Sequence, residues 1–386
     1  MSRSPTPRPL RVAYLGHTAA LSGGELAFVH LLASFRRLDL GVDARVLLAE
    51  DGPLRARLEA AGATTEVVPM AATTRQFKGR DVRGILPAGP AVAAMAHAVA
   101  LARRLAALEV DIVHTMSLKA ALYGGVAGRL ARRPVVWSIQ DRVAPDFIPA
   151  PAVRVVRAAA RVLPRMIIAN SRATASTLAG AGPPAVVIHP VVPPVAPAPR
   201  RGEPIFTVAL IGRLAPWKGQ DVFLRSVACA FPDGDVRARI IGAPLFGEEP
   251  YAEQLRALAR DLGIADRVEL RGHRDDIAGE LAEVDVVVHC STLPEPFGMV
   301  VVEAMSAGRP VIASAAGGPC EIVEHGVSGL LTAPRDVAAL AAALRRLADD
   351  PGLRDRLAEG GRQRAATFTG PASALATRRC YREVAR

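Results

Sequence analysis

The feature that most constrains this chain is an alternation of short apolar runs with longer segments of helical periodicity. The apolar runs are predicted strands at residues 10–16, 44–49, 110–114, 134–139 and 166–169, and then at 206–212, 237–241, 267–271, 284–289 and 310–313. Near-continuous apolar strands that alternate with helices are typical of parallel sheets covered on both faces. The sequence therefore predicts an α/β fold.

The pattern stops at a proline-rich stretch, residues 189–204, and then starts again. Proline interrupts helices, so this stretch reads as a linker between domains. We predict two doubly wound Rossmann-like domains that face each other across a cleft. The predicted boundaries are an N-terminal domain (1–190), the linker (191–204), a C-terminal domain (205–368) and a final helix (369–386) that packs back on the first domain.

The charge balance is basic, with a net charge of +11. Three of the 48 basic residues are lysines, namely Lys78, Lys119 and Lys218, which leaves 45 arginines spread along the chain. Nucleic-acid binders concentrate their charge, so no nucleic-acid partner is predicted. The four cysteines form no C-x-x-C pair, and Cys290 and Cys320 stand in apolar surroundings typical of core residues.

The first nine residues are basic and proline-rich and lack the apolar stretch of a signal peptide. The most apolar predicted helix, 88–101, contains His97, ends before Arg103 and is too short for a membrane span. We therefore expect a cytoplasmic protein. Its basic surplus leaves contact with the inner face of a membrane open.

Two motifs follow predicted strands of the second half. In GRLAPWKG (212–219), Arg213 and Lys218 suit a diphosphate, because arginine forms a fork and lysine is a point charge. In EPFGMVVVEAM (295–305), Glu295 precedes a predicted helix and Glu303 lies inside it. One carboxylate can face a sugar and the other a ribose diol. The amides of Phe297, Gly298 and Met299 would open that helix toward an anion.

Two glycine pairs also follow strands. Gly317-Gly318 would let the backbone approach a ligand closely, and Gly23-Gly24 opens a helix as a plausible phosphate-facing loop. Neither matches the dinucleotide-binding or Walker fingerprint.

Other polar residues admit ordinary structural interpretations. Asp233 and Asp235 resemble a metal-binding pair but lie in a turn sequence, and no metal site is predicted. His114 ends a strand and Lys119 opens a helix; they either form an acceptor pocket or are ordinary strand-end and surface residues. Asn170-Ser171 is typical of a helix cap.

The motifs GRLAPWKG, EPFGMVVVEAMSAGRPVIAS and GGPCEIVEHGVSGLL resemble the C-terminal domain of family 4 retaining glycosyltransferases of GT-B fold. LSGGE, DIVHTMSLKAALYG and IIANS extend the resemblance into the first half. The resemblance implies transfer of a sugar from a UDP- or GDP-sugar to an acceptor hydroxyl, with retention of anomeric configuration and without a metal or other cofactor. The acceptor stays unidentified.

The resemblance also implies roles for individual residues. Glu303 would bind the ribose hydroxyls and Glu295 the transferred sugar, with Arg213 and Lys218 on the diphosphate. Other donor contacts would come from Gly23, Gly24, Gly272, Arg274 and the amides of Phe297, Gly298 and Met299.

Gln140 departs from the family pattern, which often has histidine at this position. Glutamine still hydrogen-bonds a hydroxyl but carries no proton at neutral pH. A binding role, a different donor sugar or an impaired homologue would each account for it. Two alternative functions stay open. One is a sugar-nucleotide epimerase of related fold, against which the arrangement of EPFG (295–298) with Glu303 argues, and the other is a non-catalytic sugar-nucleotide-binding protein, for which Gln140 is the only support.

Overall fold

The computed structural model describes residues 8–71, 88–197, 205–244 and 247–386. Half of the predicted linker, residues 198–204, lies outside the described residues, as do residues 1–7. The chain divides into two compact units. The first comprises Met1–Val191 together with Gly370–Arg386, and the second comprises Val192–Thr369. The C-terminal helix therefore belongs to the first unit.

The first unit contains a seven-stranded parallel sheet. Its strands are β1 (Leu10–Gly16), β2 (Val42–Leu48), β3 (Thr64–Val67), β4 (Ile112–Thr115), β5 (Val135–Ile139), β6 (Met166–Ala169) and β7 (Ala185–Val187). They lie in the order 3-2-1-4-5-6-7, and each neighbouring pair is parallel.

The second unit contains a six-stranded parallel sheet. Its strands are β8 (Phe206–Ile211), β9 (Val236–Ile241), β10 (Val268–Gly272), β11 (Val286–His289), β12 (Val311–Ser314) and β13 (Leu330–Thr332). The order 10-9-8-11-12-13 repeats that of the first sheet. In both sheets the strand order reverses between the first and fourth strands of the unit, which is where doubly wound folds bind ligands.

Helices connect most of the strands. In chain order they are α1 (Gly23–Arg37), α2 (Pro53–Ala60), α3 (Ala88–Ala107), α4 (Leu118–Leu130), α5 (Ala150–Ala160), α6 (Arg172–Ser176), α7 (Gln220–Ala230), α8 (Glu249–Asp261), α9 (Ile277–Ala282), α10 (Met299–Ser306), α11 (Pro319–Ile322), α12 (Val337–Asp349), α13 (Pro351–Ala365) and α14 (Gly370–Val384). None in the described ranges is long and apolar enough to cross a membrane.

Successive residues of β1 show why both sheet faces are covered. Ala13 and Leu15 belong to one buried cluster, whereas Val12 and Tyr14 belong to another that also contains Tyr381 of α14. Strand side chains alternate between faces, so an almost fully apolar strand needs apolar cover on both sides. The sequence prediction of an α/β fold with parallel sheets is confirmed.

The sequence missed three strands, β3, β7 and β13. Each lies at the edge of its sheet and has only three or four residues. An edge strand is buried against a single neighbour, so it lacks the continuous apolar run by which central strands are recognised. Two further predictions were inaccurate: the helix predicted at 88–101 runs on to Ala107, and Cys320, expected in the core, is exposed.

Candidate active site

The loops that follow β8 and β11 lock together at the strand reversal of the second unit. The backbone N–H of Thr292 donates to the carbonyl oxygen of Trp217 at 2.8 Å, and Cys290 Sγ donates to that of Gly219 at 2.9 Å. Gly219 has a φ of 74°, and a Cβ there would lie 2.1 Å from the carbonyl oxygen of Cys290. Glycine is therefore required for the two loops to pack this closely.

Lys218 and Glu295 form a largely buried ion pair where these loops meet. Lys218 Nζ lies 2.7 Å from Oε1 and 2.9 Å from Oε2 of Glu295, and the side chains are 19% and 11% exposed. Ser291 Oγ donates to Oε2 at 2.7 Å, and His289 Nε2 lies 3.4 Å from the same oxygen. The structure thus joins two residues that the sequence placed in separate motifs.

This environment fixes the charge of Glu295. Burial acts to raise the pKa of its carboxyl, but the Lys218 ammonium and the contact with His289 outweigh burial and hold the pKa well below its usual range. Glu295 is therefore a carboxylate at neutral pH. It can accept a hydrogen bond from a ligand hydroxyl but is a poor proton donor or base.

Arg213 and Lys218 border the same indole ring. The Cζ of Arg213 lies 6.0 Å and the Nζ of Lys218 4.3 Å from the ring centroid of Trp217. Arg213 Nε also lies 3.4 Å from Oε2 of Glu248. Arg213 and Lys218 therefore each have a carboxylate neighbour. An incoming anion would have to share the cation with that carboxylate.

The other residues predicted to contact the donor lie at the start of helix α10. Gly298, with a φ of 104°, precedes its first turn and offers no side-chain cap, so the first amides have no capping partner within the helix. Phe297 is 3% exposed and packs on Phe368, which leaves its backbone rather than its ring for a ligand. Met299 begins the helix.

Glu303 lies one turn further along α10 and is partly buried. Burial raises the pKa of its carboxyl. Within the described residues we find no hydrogen-bond or ion-pair partner for this carboxylate. A desolvated acceptor of this kind is costly unless a ligand completes it.

The glycine pair at 317–318 packs against the loop that carries Glu295. A Cβ on Gly317 would lie 2.2 Å from the carbonyl oxygen of Glu295, and one on Gly318 would lie 2.3 Å from the Phe297 backbone. The Gly318 N–H donates to the Glu295 carbonyl oxygen at 2.8 Å. The pair therefore holds the Glu295 loop in place, and its approach to a ligand stays a prediction.

Gly272 ends β10, two strands away from β8, and Arg274 follows it by two residues. Gly272 has a φ of 67°, and its carbonyl oxygen accepts the Gly242 N–H at 2.8 Å. Arg274 is exposed, with its Nε 3.2 Å from Oε1 of Glu280. This edge of the sheet is the same one that carries the Lys218 loop, because all the strands are parallel.

Three predicted residues of the first unit line one pocket: Gly24 of α1, His114 of β4 and Gln140, which follows β5. Gln140 Nε2 donates to Ser138 Oγ at 2.8 Å, and Asn170 Nδ2 donates to the Gln140 carbonyl oxygen at 2.9 Å. The structure therefore brings Gly24 and Gln140, which were predicted to bind the donor, together with His114, which was predicted to bind the acceptor.

The remaining first-unit predictions lie around this pocket. Gly23 is exposed at the start of α1, and Lys119 is exposed on α4 and does not line the pocket. Ser171 accepts the Thr174 N–H at 2.9 Å, which confirms the predicted helix cap. Asp141 was not predicted: burial first, and then the charge of Glu25, raises its pKa to about 6.

Sequence reasoning also missed His289 and Ser291, which hold Glu295. His289 ends β11 and Ser291 follows it by two residues, so their position after a predicted strand was an available signal. A metal site was not predicted, and among the described residues no three His, Cys, Asp or Glu side chains are grouped as metal ligands would be.

Comparison with known proteins decides the family. Residues 22–195 match glycosyltransferase family 4, and residues 198–364 match the glycosyl transferases group 1. A D-inositol 3-phosphate glycosyltransferase of Streptomyces bingchenggensis is 31% identical over 307 residues, which are 72% of this chain and 67% of that protein. The chain belongs to glycosyltransferase family 4.

Other family members match shorter segments. The lipopolysaccharide core biosynthesis glycosyltransferase LpsD of Rhizobium meliloti is 44% identical over 117 residues, 30% of this chain and 34% of that protein. A D-inositol 3-phosphate glycosyltransferase of Actinosynnema mirum is 36% identical over 216 residues, 50% of this chain and 51% of that protein. The chain thus spans only about a third to a half of the length of several curated relatives.

Solved structures also match over nearly the whole chain. Anabaena Alr3699/HepE in complex with UDP and glucose has a TM-score of 0.80 and 28% identity, covering 97% of this chain and 98% of that one. Sucrose-phosphate synthase from Thermosynechococcus elongatus, at 20% identity and a TM-score of 0.78, shows the fold alone. The fold of this family 4 member is GT-B.

Proposed function

We propose that this protein transfers a hexose or N-acetylhexosamine from a UDP-sugar to an acceptor hydroxyl, with retention of anomeric configuration. The observation that carries the proposal is the Lys218–Glu295 pair, because Glu295 lies just before α10 in the chain. This helix begins without a side-chain cap, and its Glu303 carboxylate has no partner among the described residues. The likeness to Alr3699/HepE, whose structure holds UDP and glucose, supports a UDP donor.

In the proposed site each charged group meets a part of the donor. Glu303 would accept hydrogen bonds from the ribose hydroxyls, and Glu295 from the transferred sugar. Lys218 and Arg213 would stabilise the negative charge that grows on the diphosphate as the glycosidic bond breaks. Gly272 and Arg274 would border the base.

Glu295 is ionised and already accepts several hydrogen bonds, which argues against a role as a catalytic base. We therefore propose that a phosphate oxygen of the departing diphosphate accepts the proton of the acceptor hydroxyl. The hydroxyl then attacks from the face that the diphosphate leaves, so the configuration is retained. Proton NMR of the product's anomeric signal checks this directly.

We propose further that the transfer needs no metal, because Lys218 and Arg213 supply the positive charge that a divalent ion would bring. Transfer should persist in excess EDTA. Complete loss that Mg²⁺ or Mn²⁺ restores would contradict this, and an Asp233→Asn/Asp235→Asn variant would then show whether that turn binds the ion.

The direct test of the proposed function is ligand-dependent unfolding of the full chain. UDP at one hundred times its Kd should stabilise the protein by about 2.7 kcal/mol, because a ligand that binds only the folded state shifts unfolding by mass action. UDP-glucose and UDP-N-acetylglucosamine should then release UDP in the presence of an acceptor mixture.

Two controls accompany this test. Uridine lacks the diphosphate and should stabilise far less than UDP. GDP shows whether the base is discriminated. A folded protein whose unfolding temperature ignores millimolar UDP and GDP alike would contradict the proposal, and a UDP-sugar converted to its isomer without an acceptor would indicate an epimerase.

A further inference from the structure

The C-terminal helix forms part of the pocket of the first unit. The pocket is partly open to solvent and lies at the carboxyl ends of β4 and β5. Two of its lining residues, Ser373 and Thr377, come from α14 and are almost fully buried. The last helix of the chain is thus a wall of this pocket as well as cover for the sheet.

A buried chain of hydrogen-bonding groups connects α14 to the pocket. His114 Nδ1 lies 2.6 Å from the hydroxyl oxygen of Tyr381, which lies 3.0 Å from that of Tyr14. Both tyrosines are fully buried, and neither lines the pocket. The Nδ1 edge of His114 is therefore occupied, and its opposite edge, which carries Nε2, is left for the pocket.

The pocket is built for an uncharged ligand. Burial lowers the pKa of His114 to about 3, so the ring is neutral. A neutral imidazole nitrogen either donates or accepts one hydrogen bond, and a ligand hydroxyl can match both, whereas a phosphate oxygen only accepts. Among the described residues no lysine or arginine lines the pocket, and apolar side chains such as Phe28 and Leu31 suit the C–H face of a ring.

We propose that this pocket binds an uncharged, hydroxyl-bearing sugar ring, that α14 completes it, and that Tyr381 is the positioning residue that holds His114 toward that ring. The inference rests on the proposed function, in which the ring is the hexose of the donor or the sugar of the acceptor. Gly24 and Gln140 line the same pocket, which fits either source.

The first experiment is Tyr381→Phe, which removes the hydroxyl and keeps the packed ring. We measure KM for UDP-glucose in donor hydrolysis, KM for methyl α-D-glucopyranoside as acceptor, and Kd for UDP. One of the two KM values should rise about tenfold, the usual effect of losing one well-placed hydrogen bond, while Kd for UDP stays unchanged. The KM that rises identifies the source of the ring; two unchanged values would overturn the proposal.

A matched control and a second variant keep the test decisive. Tyr123→Phe removes another buried tyrosine hydroxyl of the same unit, one without a hydrogen-bond partner and outside the pocket, and should change neither KM. Thr377→Leu adds bulk to the pocket wall on α14 and keeps the Tyr381 hydroxyl. It should raise the same KM even if Tyr381→Phe fails to fold, and an unchanged KM in Thr377→Leu would overturn the proposal.

The charge of the ring is tested with paired probes. UDP-glucose should be preferred to UDP-glucuronic acid, or methyl α-D-glucopyranoside to glucose 6-phosphate, by about tenfold or more; preference for the anionic member of both pairs would overturn the proposal. If the wild type ignores UDP, the proposed function fails instead. The pocket is then tested alone by saturation-transfer NMR with methyl α-D-glucopyranoside, whose signal Thr377→Leu should abolish; no signal in the wild type would overturn the pocket proposal.

Discussion

The two units place their candidate sites at the same point of the same strand order, yet the chemistry of the sites is opposite. The second unit concentrates charge around the Lys218–Glu295 pair. The first unit surrounds its pocket with apolar side chains and the neutral His114. Strand order therefore fixes where a ligand can bind, and the loops after the strands decide which ligand it is.

The two sites share one property, which is that their central groups keep a single protonation state near neutral pH. Glu295 stays ionised because of Lys218 and His289, and His114 stays neutral because it is buried. Groups whose pKa lies far from the working pH are inefficient general acids or bases. This agrees with a reaction in which the leaving group takes up the proton.

The largest expected effect is on turnover and lies in the charged unit. Lys218→Ala should lower kcat by about 10²-fold with a smaller change in the donor KM, because its contact with the diphosphate strengthens as charge develops. Lys218→Arg should restore activity only in part, since a planar fork does not replace a point charge. Steady-state kinetics with a UDP-sugar measures both.

Loss of Lys218 also leaves Glu295 buried without its cation, which typically costs about 3–5 kcal/mol of stability. The double variant Lys218→Ala/Glu295→Gln should recover that stability but not turnover, which separates the two effects. Arg256→Ala, an exposed cation of the same unit, is the control and should change neither. A Lys218→Ala protein that differs from the wild type in KM alone would make Lys218 a ground-state anchor.

An intermediate effect should separate nucleotide binding from sugar binding. Glu303→Ala should weaken UDP binding by about 1–3 kcal/mol, the usual worth of hydrogen bonds to a charged group. Gln140→Ala, in the first unit, should leave UDP affinity unchanged and weaken only UDP-glucose. Calorimetry with both ligands checks this, and equal losses for UDP in the two variants would contradict the assignment of Glu303 to the nucleotide and Gln140 to the sugar.

The smallest expected effect is on the pH dependence of stability. The pKa of His114 is lower in the folded than in the unfolded protein, so the unfolded chain binds the extra proton, and stability falls as pH drops from about 6.5 toward 3. Protonation of Glu295 also lowers stability as pH drops. Its effect begins only below the usual carboxyl pKa, because folding lowers the pKa of Glu295 from that value. Thermal unfolding at pH 7.5 and 5 should show a smaller acid-induced loss for His114→Asn than for the wild type.

Between pH 7.5 and 5, Asp141 affects stability in the opposite direction to His114, so the experiment needs an Asp141 variant as a control. Its pKa is raised to about 6, so its ionised form disfavours folding at neutral pH, and that penalty fades as pH falls through 6. Asp141→Asn should therefore steepen the acid-induced loss. The assignment of the pH dependence to His114 would be wrong if His114→Asn kept the wild-type slope.

The sequence alone determined the two parallel sheets and the loops that carry Arg213, Lys218, Glu295 and Glu303. These features are local: an apolar run marks a buried strand, and the residues that follow it must stand at the carboxyl edge of the sheet. Edge strands such as β3 were missed because burial on one side leaves a weaker pattern.

Only the tertiary structure decided what those residues touch. Lys218 and Glu295 are 77 residues apart, and His114 and Tyr381 are 267 apart. No local pattern encodes such pairs, and the charge of a buried group depends on the neighbours that folding brings to it. For the same reason the sequence located Gly317 and Gly318 but could not show that their close contact is the backbone around Glu295.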